Sequence, residues 1–180
     1  MTTWFTSDNH FSHSAILGYC DRPFSCVEEM DETMIERWNQ VVKSKDDIYH
    51  LGDFSLITDI SNYVRRLNGR IRLVPGGHDK RWIKRHKNSN KLTVIKPLVS
   101  LTFKEYKVDG RPLTVVCCHY AMRSWPRSYY GSLHCFGHSH GRLPGEGRSM
   151  DIGVDSHNFY PVSLEEVAER LSAIPYKKET

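Results

Sequence analysis

Short apolar runs alternate with longer amphipathic segments through the first half of the chain. Runs rich in β-branched and aromatic side chains predict strands at 2–6, 47–51 and 70–74. Apolar positions spaced three and four residues apart predict helices at 26–43 and 59–68 between them. Strands that alternate with helices in this way are typical of an α/β chain.

The predicted helices also have recognisable ends. Ser25 and Glu28 have the spacing of a capping box at the start of the first helix, and Gly69 stands where the second should end. Ser163 and Glu166 repeat the capping box, which predicts a closing helix that starts at Ser163.

The second half of the chain is richer in strand patterns. Apolar residues alternate over 99–103, and an Asp-Gly turn at 109–110 leads into the apolar run 113–117, which together predict a hairpin. Further strands are predicted at 133–136 and 151–154. The whole pattern indicates an α/β protein with a mixed sheet.

Composition narrows the class of protein. Of the 180 residues, 39% are hydrophobic and 26% are charged, and we find no repeat or linker, so we expect a single domain over residues 1–180. No apolar run is long enough to cross a bilayer, and the first residues lack a secretory pattern, so we expect a cytoplasmic protein without a membrane partner. Five cysteines, two of them adjacent, argue against a disulfide framework. The net charge of +4 slightly favours anionic substrates.

Most of the candidate chemistry lies where predicted strands end. Ten histidines are many for a chain of this length, and several follow a strand in a polar or glycine-containing turn. Because ligands gather outside the carboxyl ends of strands in open α/β sheets, we expect these side chains to lie together. The strand-end acids and imidazoles are Asp8, His10, Asp53, His78, Asp79, His119, His138 and His140.

These residue types are suited to binding metal ions. Carboxylate and neutral imidazole groups bind Mn, Fe or Zn. In an extended segment, residues two apart point to the same side, so Asp8 and His10 can chelate one ion, and His138 and His140 can reach a shared site. An aspartate in a tight turn, as Asp53 is, can bridge two ions roughly 3.5–4 Å apart.

The order of the motifs resembles that of the calcineurin-like metallophosphoesterases. The resemblance reaches from Asp8 to His140 and rests on several motifs in order, not on one. It implies an α/β fold in which two mixed β-sheets, flanked by helices, form a four-layer sandwich. The motifs that carry it are Asp8-Asn9-His10, Gly52-Asp53, Gly76-Gly77-His78-Asp79, His119 and Gly137-His138-Ser139-His140.

The resemblance also implies a role for each of these residues. Asp8, His10 and His140 would hold one divalent ion, Asp53 would bridge, and His119 and His138 would hold the other. His78 would protonate the leaving oxygen and Asp79 would orient it. We therefore expect a metal-dependent phosphoesterase in which water between the ions attacks phosphorus in line.

One departure from the family concerns the second ion. The family usually has asparagine where this chain has Gly77, and the asparagine oxygen ligates that ion. Glycine offers no side-chain ligand, so we expect a weakened second site. Of the candidate ions Mn, Zn, Fe and Ni, we favour Mn.

The sequence leaves the substrate and the oligomeric state open. Phosphomonoesters, phosphodiesters, nucleotides and nucleic acids all present the phosphoryl oxygens that such a site recognises. Arg22 and Arg123 are candidates to bind a phosphate oxygen bidentately, and His13 can also touch substrate. A further departure, Phe54-Ser55 after Asp53 in place of an acid and an arginine, disfavours a phosphoprotein substrate.

A basic stretch follows the turn that contains His78 and Asp79, and it has two interpretations. It is either a solvated helix face or a surface that follows a phosphate backbone. Its residues are Lys80, Arg81, Lys84, Arg85, Lys87 and Lys91, with Trp82 and His86 among them.

The competing hypothesis is a nucleic-acid-binding or phosphate-binding domain with a structural or degenerate metal site and little hydrolysis. Cys117, Cys118 and Cys135 lie near the histidine motifs, which raises the option of a structural zinc site. That scheme leaves Asp8 and Asp53 without a role, and we expect the cysteines to behave as small buried hydrophobes. The remaining histidines, His50, His86, His134 and His157, are expected to be structural or solvent-facing.

Overall fold

Two mixed β-sheets form the centre of the protein. We describe a computed structural model that covers residues 1–86, 89 and 91–176. Within these residues the strands are β1 (Thr3–Thr6), β2 (Asp47–His50), β3 (Arg70–Leu73), β4 (Leu92–Val94), β5 (Leu98–Val108), β6 (Arg111–Cys118), β7 (Leu133–Phe136), β8 (Ser149–Asp151) and β9 (Val162–Ser163). The α-helices are α1 (Ile16–Tyr19), α2 (Val27–Val41), α3 (Ser61–Arg66), α4 (Lys80–His86) and α5 (Leu164–Ser172).

The two sheets share one design, a parallel core with an antiparallel edge. The first sheet has the order β4-β3-β2-β1-β9, and only β9 runs antiparallel to its neighbour. The second has the order β5-β6-β7-β8, in which β5 and β6 form the antiparallel hairpin and the other pairs are parallel. The predicted α/β class with mixed sheets is therefore confirmed.

Each face of the first sheet is covered by a different layer. Ile48, Ile71 and Leu73 pack with residues of α1 to α4 in one hydrophobic core. Phe5 and Leu51 point to the other side, where they join residues of the second sheet and of α5 in a second core. Side chains alternate between the faces of a strand, so the apolar positions of these short strands are divided between two cores.

The outer face of the second sheet is covered by the segment 120–132, which contains a 3₁₀ helix at Ser128–Tyr130. The two cores account for all five α-helices of the described residues. The Met122 backbone N–H donates to His134 Nε2 at 3.3 Å, and the Trp125 ring lies 5.3 Å from the His134 ring. Helices α1 to α4 thus flank the first sheet, α5 joins the second core, and the segment 120–132 lies on the outer face of the second sheet.

Most predicted elements are present, with small shifts at their ends. The helix caps show how a shift arises: Cys26 Sγ, one residue after the predicted cap, accepts the Glu29 N–H, and the Glu29 carboxylate reaches back to Ser25. The Ser163 capping box is confirmed, since its hydroxyl accepts the Glu166 N–H.

The strand predicted at 151–154 is wrong in its position. Strand β8 ends at Asp151, and Val154–Ser156 forms a 3₁₀ helix. The turn follows from hydrogen bonding, because Asp151 Oδ1 accepts the backbone N–H of Gly153 at 2.7 Å and bends the chain away from the sheet.

The carboxyl ends of the parallel strands in both sheets meet at one edge of the molecule. Ser7, just after β1, forms an isolated parallel bridge with Gly153, just after β8. The Val154 N–H donates to the Ser7 carbonyl at 3.0 Å across the same junction. Turns that follow strands of both sheets are thereby brought to a common place. Among the described residues, no helix combines the length and the apolar character needed to span a membrane.

Candidate metal centre

The predicted ligands occupy turns with an unusual backbone. Asp8, His10, Asp53, His138 and His140 all have positive φ angles, between 50° and 69°. For residues with a side chain this left-handed conformation costs about 1–3 kcal/mol each, and it concentrates at functional sites. These turns therefore hold their side chains at the cost of local strain.

Six of the predicted residues form two groups of three. In the first group, one ligand atom each from Asp8, His10 and His140 lies within 4.8 Å of the other two. In the second, ligand atoms of Asp53, His119 and His138 satisfy the same limit. Residues separated by up to 132 positions in the chain thus converge as the strand-end pattern predicted.

Asp53 lies between the two groups. Its Oδ2 atom is 3.7 Å from His10 Nε2 in the first group and 3.5 Å from His119 Nε2 in the second. It is also 3.8 Å from Nε2 of His78. A carboxylate in this position can bridge two cations.

Three ligand atoms are buried without a hydrogen-bond partner among the described residues. They are Asp8 Oδ1, His10 Nε2 and His119 Nε2. Leaving a buried polar atom unpaired costs about 1–3 kcal/mol, so such atoms are rare in native proteins and ask for an explanation. Divalent ions bound to both groups would supply the missing partners, so the residues present fit the expected metal.

Hydrogen bonds to the far nitrogens orient the imidazole ligands. His119 Nδ1 donates to the Leu51 carbonyl at 2.6 Å, and His140 Nδ1 donates to Asp155 Oδ2 at 2.8 Å. With the proton held on Nδ1, each ring presents Nε2 to the centre. Partners of this kind are usual behind metal-binding histidines, because they fix the tautomer and the ring orientation.

Arg22 lies beneath the centre, which corrects its assignment to substrate binding. Its buried guanidinium donates to both carboxylate oxygens of Asp155, at 2.7 and 2.8 Å, and to the carbonyls of Asp8 and Asn9. These bonds tie the turn after β1 to the 3₁₀ helix that carries Asp155. Arg22 is thus a structural partner of the first group and does not face substrate.

Asp79 has a different role from the one expected. Its carboxylate accepts the backbone N–H groups of Asp53, Phe54 and Gly76, at 2.7–2.9 Å, and does not contact the His78 ring. These bonds clamp the turn after β2 to the turn after β3. Asp79 therefore positions the backbone around Asp53.

Glycines let the carboxylates approach the backbone. A Cβ atom on Gly76 would collide with Asp53 Oδ1, and one on Gly137 would collide with Asp8 Oδ2. Gly77 differs, because a Cβ atom there would meet only the Tyr120 hydroxyl at 3.7 Å and Asp53 Oδ1 at 4.0 Å. The position of Gly77 has room for a side chain.

Burial and mutual charge shift the pKa values in the centre. Burial raises the pKa of Asp8 to about 7 and lowers that of His10 to about 3. Burial would also raise the pKa of Asp53, but His119, 3.5 Å away, and other neighbours outweigh it, and the pKa falls well below its usual value. Burial opposes the charged form of His119, but the carboxylates of Asp53 and Asp8 raise its pKa overall.

The other two predicted substrate contacts lie in different surroundings. His13 Nδ1 is 3.1 Å from His10 Nδ1, and the His13 ring is 6.2 Å from the His78 ring, so His13 borders the centre. Arg123 lines a separate surface cavity with Trp125 and Tyr176. His78 itself is at the mouth of the centre, with half of its side chain exposed.

Three of the remaining histidines are structural, as expected. His50 bonds to Asn9 and Gly52, and burial lowers its pKa to about 3. His134 donates to the Val116 carbonyl, and His157 donates to that of Asp151. The side chain of His86 lies outside the described residues.

Cys117 and Cys135 do not form a candidate zinc site with these histidines. Cys117 and Cys135 are buried in the core between the sheets, and burial raises the pKa of both thiols. Among the described residues they belong to none of the candidate metal groups. Cys20 lies near His140 and Asp155, but Asp155 is already bonded to Arg22.

The basic stretch forms one face of a short helix. On α4, four side chains are exposed around the buried Trp82: Lys80, Arg81, Lys84 and Arg85. Lys91 instead donates to the Arg65 carbonyl at 3.1 Å, and Lys87 lies outside the described residues.

Comparisons with known proteins identify relatives of this chain. No protein-family model matches the chain. It is 32% identical over 173 residues to the uncharacterized protein MJ1445 of Methanocaldococcus jannaschii, covering 90% of this chain and 86% of that protein. It is also 34% identical over 82 residues to the Gene 66 protein of Mycobacterium phage L5, covering 43% and 39%.

A solved structure shares the fold. The crystal structure of AQ665 from Aquifex aeolicus, a protein of unknown function, matches with a TM-score of 0.69 and 23% identity. The match covers 94% of this chain and 98% of that chain.

Proposed function

This chain belongs to the same family as MJ1445, and we propose that it is a divalent-metal-dependent phosphoester hydrolase. The single observation that carries the proposal is the set of buried, unpaired ligand atoms on Asp8, His10 and His119, which converge around the Asp53 carboxylate. Two groups of carboxylate and imidazole around one bridging aspartate are the ligand set of two-metal hydrolases.

The residues can divide the work of phosphoryl transfer. Divalent ions, when bound, polarise phosphoryl oxygens and acidify water. Asp53 lies between the two ligand groups. Asp79 holds the backbone of the turns around Asp53 in place. His78 is the general acid: it is half exposed at the mouth, 3.8 Å from Asp53 Oδ2, where its ring can give a proton to a leaving oxygen.

We also propose that the fold is of the metallophosphoesterase type. Two features support this proposal: the pair of mixed sheets, and the delivery of ligands from the carboxyl ends of strands in both. The irregular segment 120–132 on the outer face of the second sheet would then replace the helical layer of that fold.

A chelation and reconstitution experiment tests the proposed function. The protein is stripped with a chelator, and hydrolysis of p-nitrophenyl phosphate and bis(p-nitrophenyl) phosphate is measured after addition of Mn, Zn, Mg, Ni or Fe. We expect activity to disappear on stripping, to return with Mn, and the circular dichroism spectrum to persist throughout.

Two results would contradict the proposal. Hydrolysis of neither ester with any divalent ion would remove the enzymatic function. Unfolding on chelation would instead support a structural metal site in a binding domain, because catalytic ions are not required for the fold.

A further inference from the structure

Neither candidate arginine lies at the mouth of the centre. Arg22 is buried beneath the ligands, and Arg123 lines another cavity. Tyr120, directly after His119, lies at the mouth instead, with 49% of its surface exposed.

Tyr120 packs against both imidazoles of the second ligand group. Its ring centroid is 4.8 Å from that of His119 and 4.7 Å from that of His138, and both contacts are edge-to-face. Contacts of this geometry are favourable for aromatic rings and restrict the orientation of the side chain. The hydroxyl is therefore held in place by the ligands themselves.

The hydroxyl of Tyr120 and the carboxylate of Asp53 border the same gap. That gap is the space beside Gly77, where an added Cβ atom would lie 3.7 Å from the hydroxyl and 4.0 Å from Asp53 Oδ1. Residue 77 is glycine and contributes no side chain to this space. The backbone N–H of His78, the next residue, donates to Asp53 Oδ1 at 2.9 Å.

The hydroxyl is also free to bond. Among the described residues it has no hydrogen-bond partner, although its ring is well packed. A neutral hydroxyl that donates to an anionic oxygen forms a charge-assisted bond, which is stronger than a bond between neutral groups.

We propose that Tyr120 is a substrate-binding residue whose hydroxyl donates a hydrogen bond to a phosphoryl oxygen in the gap beside Gly77. The inference rests on the proposed function and extends it, because it names the protein group that grips the phosphate in place of an arginine. It also gives the open position at Gly77 a use: the gap admits the phosphate.

The test compares Tyr120→Phe with the wild-type chain, both loaded with Mn, and uses inorganic phosphate as the probe. Isothermal titration calorimetry measures the Kd for phosphate, and elemental analysis measures bound Mn. We expect a Kd about ten-fold higher in Tyr120→Phe, the usual effect of one hydrogen bond to a charged group, with Mn content unchanged. Tyr129→Phe is the matched control: Tyr129 is equally exposed but lines the separate cavity, so its Kd should equal that of wild type.

Repeating the Tyr120→Phe comparison in a Gly77→Asn chain tests whether the hydroxyl acts in the gap beside residue 77. Gly77→Asn places a side chain in the gap, so in that background Tyr120→Phe should change the Kd for phosphate by less than about two-fold, because the two positions are coupled.

Each other outcome overturns a definite statement. Equal phosphate affinity in wild type and Tyr120→Phe overturns the role of Tyr120 and leaves the proposed function intact. Loss of one Mn ion in Tyr120→Phe overturns it too, since the hydroxyl would then be a metal ligand. A wild-type chain that binds Mn but no phosphate, or neither, overturns this inference together with the proposed function.

Discussion

The two ligand groups of the candidate centre are alike in chemistry and different in surroundings. The first, Asp8, His10 and His140, is enclosed, and Asp155 and Arg22 form a layer of hydrogen bonds beneath it.

The second group, Asp53, His119 and His138, is more open. His138 is exposed, and its side chain has no hydrogen-bond partner among the described residues, while Gly77 leaves a gap beside Asp53. A fully supported group should hold its ion tightly, and a group with a gap can accept substrate. The comparison therefore predicts two ions of unequal affinity, with the substrate on the side of the second.

Asp53→Asn should have the largest effect, because Asp53 is the residue that the two groups share. Removing a residue that supports a metal ligand lowers metal affinity about 10–100-fold. Removing the shared carboxylate should therefore lower turnover more than about 100-fold and weaken the binding of both ions. Turnover and Mn content measure this. If only one ion were lost, Asp53 would belong to one group and the bridge between them would be wrong.

His78→Ala should separate catalysis from metal binding. We expect turnover to fall about 100-fold or more, the usual contribution of a general acid, with Mn content unchanged. The comparison is with His157→Ala, whose ring bonds to the Asp151 carbonyl and which belongs to none of the candidate metal groups of the described residues. Unchanged turnover in His78→Ala would remove His78 from the mechanism.

Asp155→Ala should weaken only the enclosed first group. The change removes the acceptor of His140 Nδ1 and leaves the Arg22 charge buried without its partner. We expect Mn affinity at the first group to fall about 10–100-fold and the free energy of unfolding to fall by about 3–5 kcal/mol. Calorimetric titration with Mn and urea unfolding measure the two effects.

An exposed ion pair gives the control for Asp155. Glu32 pairs with Arg66 on the surface, so Glu32→Ala should lower the free energy of unfolding by less than about 1 kcal/mol and leave Mn binding unchanged. If Asp155→Ala changed the free energy of unfolding and Mn binding no more than Glu32→Ala does, the hydrogen bonds of Asp155 would not support the first group.

The pH dependence of metal binding sharpens the comparison within the first group. Burial raises the pKa of Asp8 to about 7, so below that pH a proton occupies the carboxylate and competes with the ion. His10, whose pKa burial lowers to about 3, does not compete. Burial opposes the charged form of His140, but Asp155 and Asp8 raise its pKa overall, so His140 also gains a proton as the pH falls. Affinity should therefore fall as the pH falls, by up to about ten-fold per unit for each displaced proton. An affinity that rises from pH 8 to pH 6 would contradict this.

Gly77→Asn should have the smallest effect on metal binding, confined to the open group. The position has room, since an added Cβ atom would meet its nearest neighbour at 3.7 Å, so the fold should be unchanged. We expect the second Mn ion to bind several-fold more tightly and the first to bind as before, by calorimetric titration. Equal Mn affinity and equal turnover in the wild-type chain and in Gly77→Asn would show that Gly77 does not weaken the second group.

The sequence predicts the ligands better than it predicts their support. Asp8 and His10 follow a strand in a polar turn. The same local pattern recurs after several strands, so it can be recognised from the sequence alone. The pairing of Asp155 with Arg22 is not visible, because the two lie 133 residues apart and meet only after both sheets have formed. Asp155 also falls after a strand that the apolar pattern placed too late in the chain.

Proximity in the chain is a misleading guide to the role of Asp79. Asp79 was expected to serve His78 because it is adjacent, but it bonds to backbone groups of the neighbouring turn. Tyr120 gave no signal of its own, since an aromatic side chain in a loop is as often packing as function. Its relation to Gly77 depends on how the turns after β3 and β6 approach each other.

Anomalous diffraction from crystals soaked in Mn tests the paired cation positions most directly. The account predicts two anomalous peaks on either side of the Asp53 carboxylate, roughly 3.5–4 Å apart, with the weaker one beside His119 and His138. The absence of peaks at Asp53, or a single peak elsewhere, such as at the cysteines, would contradict it.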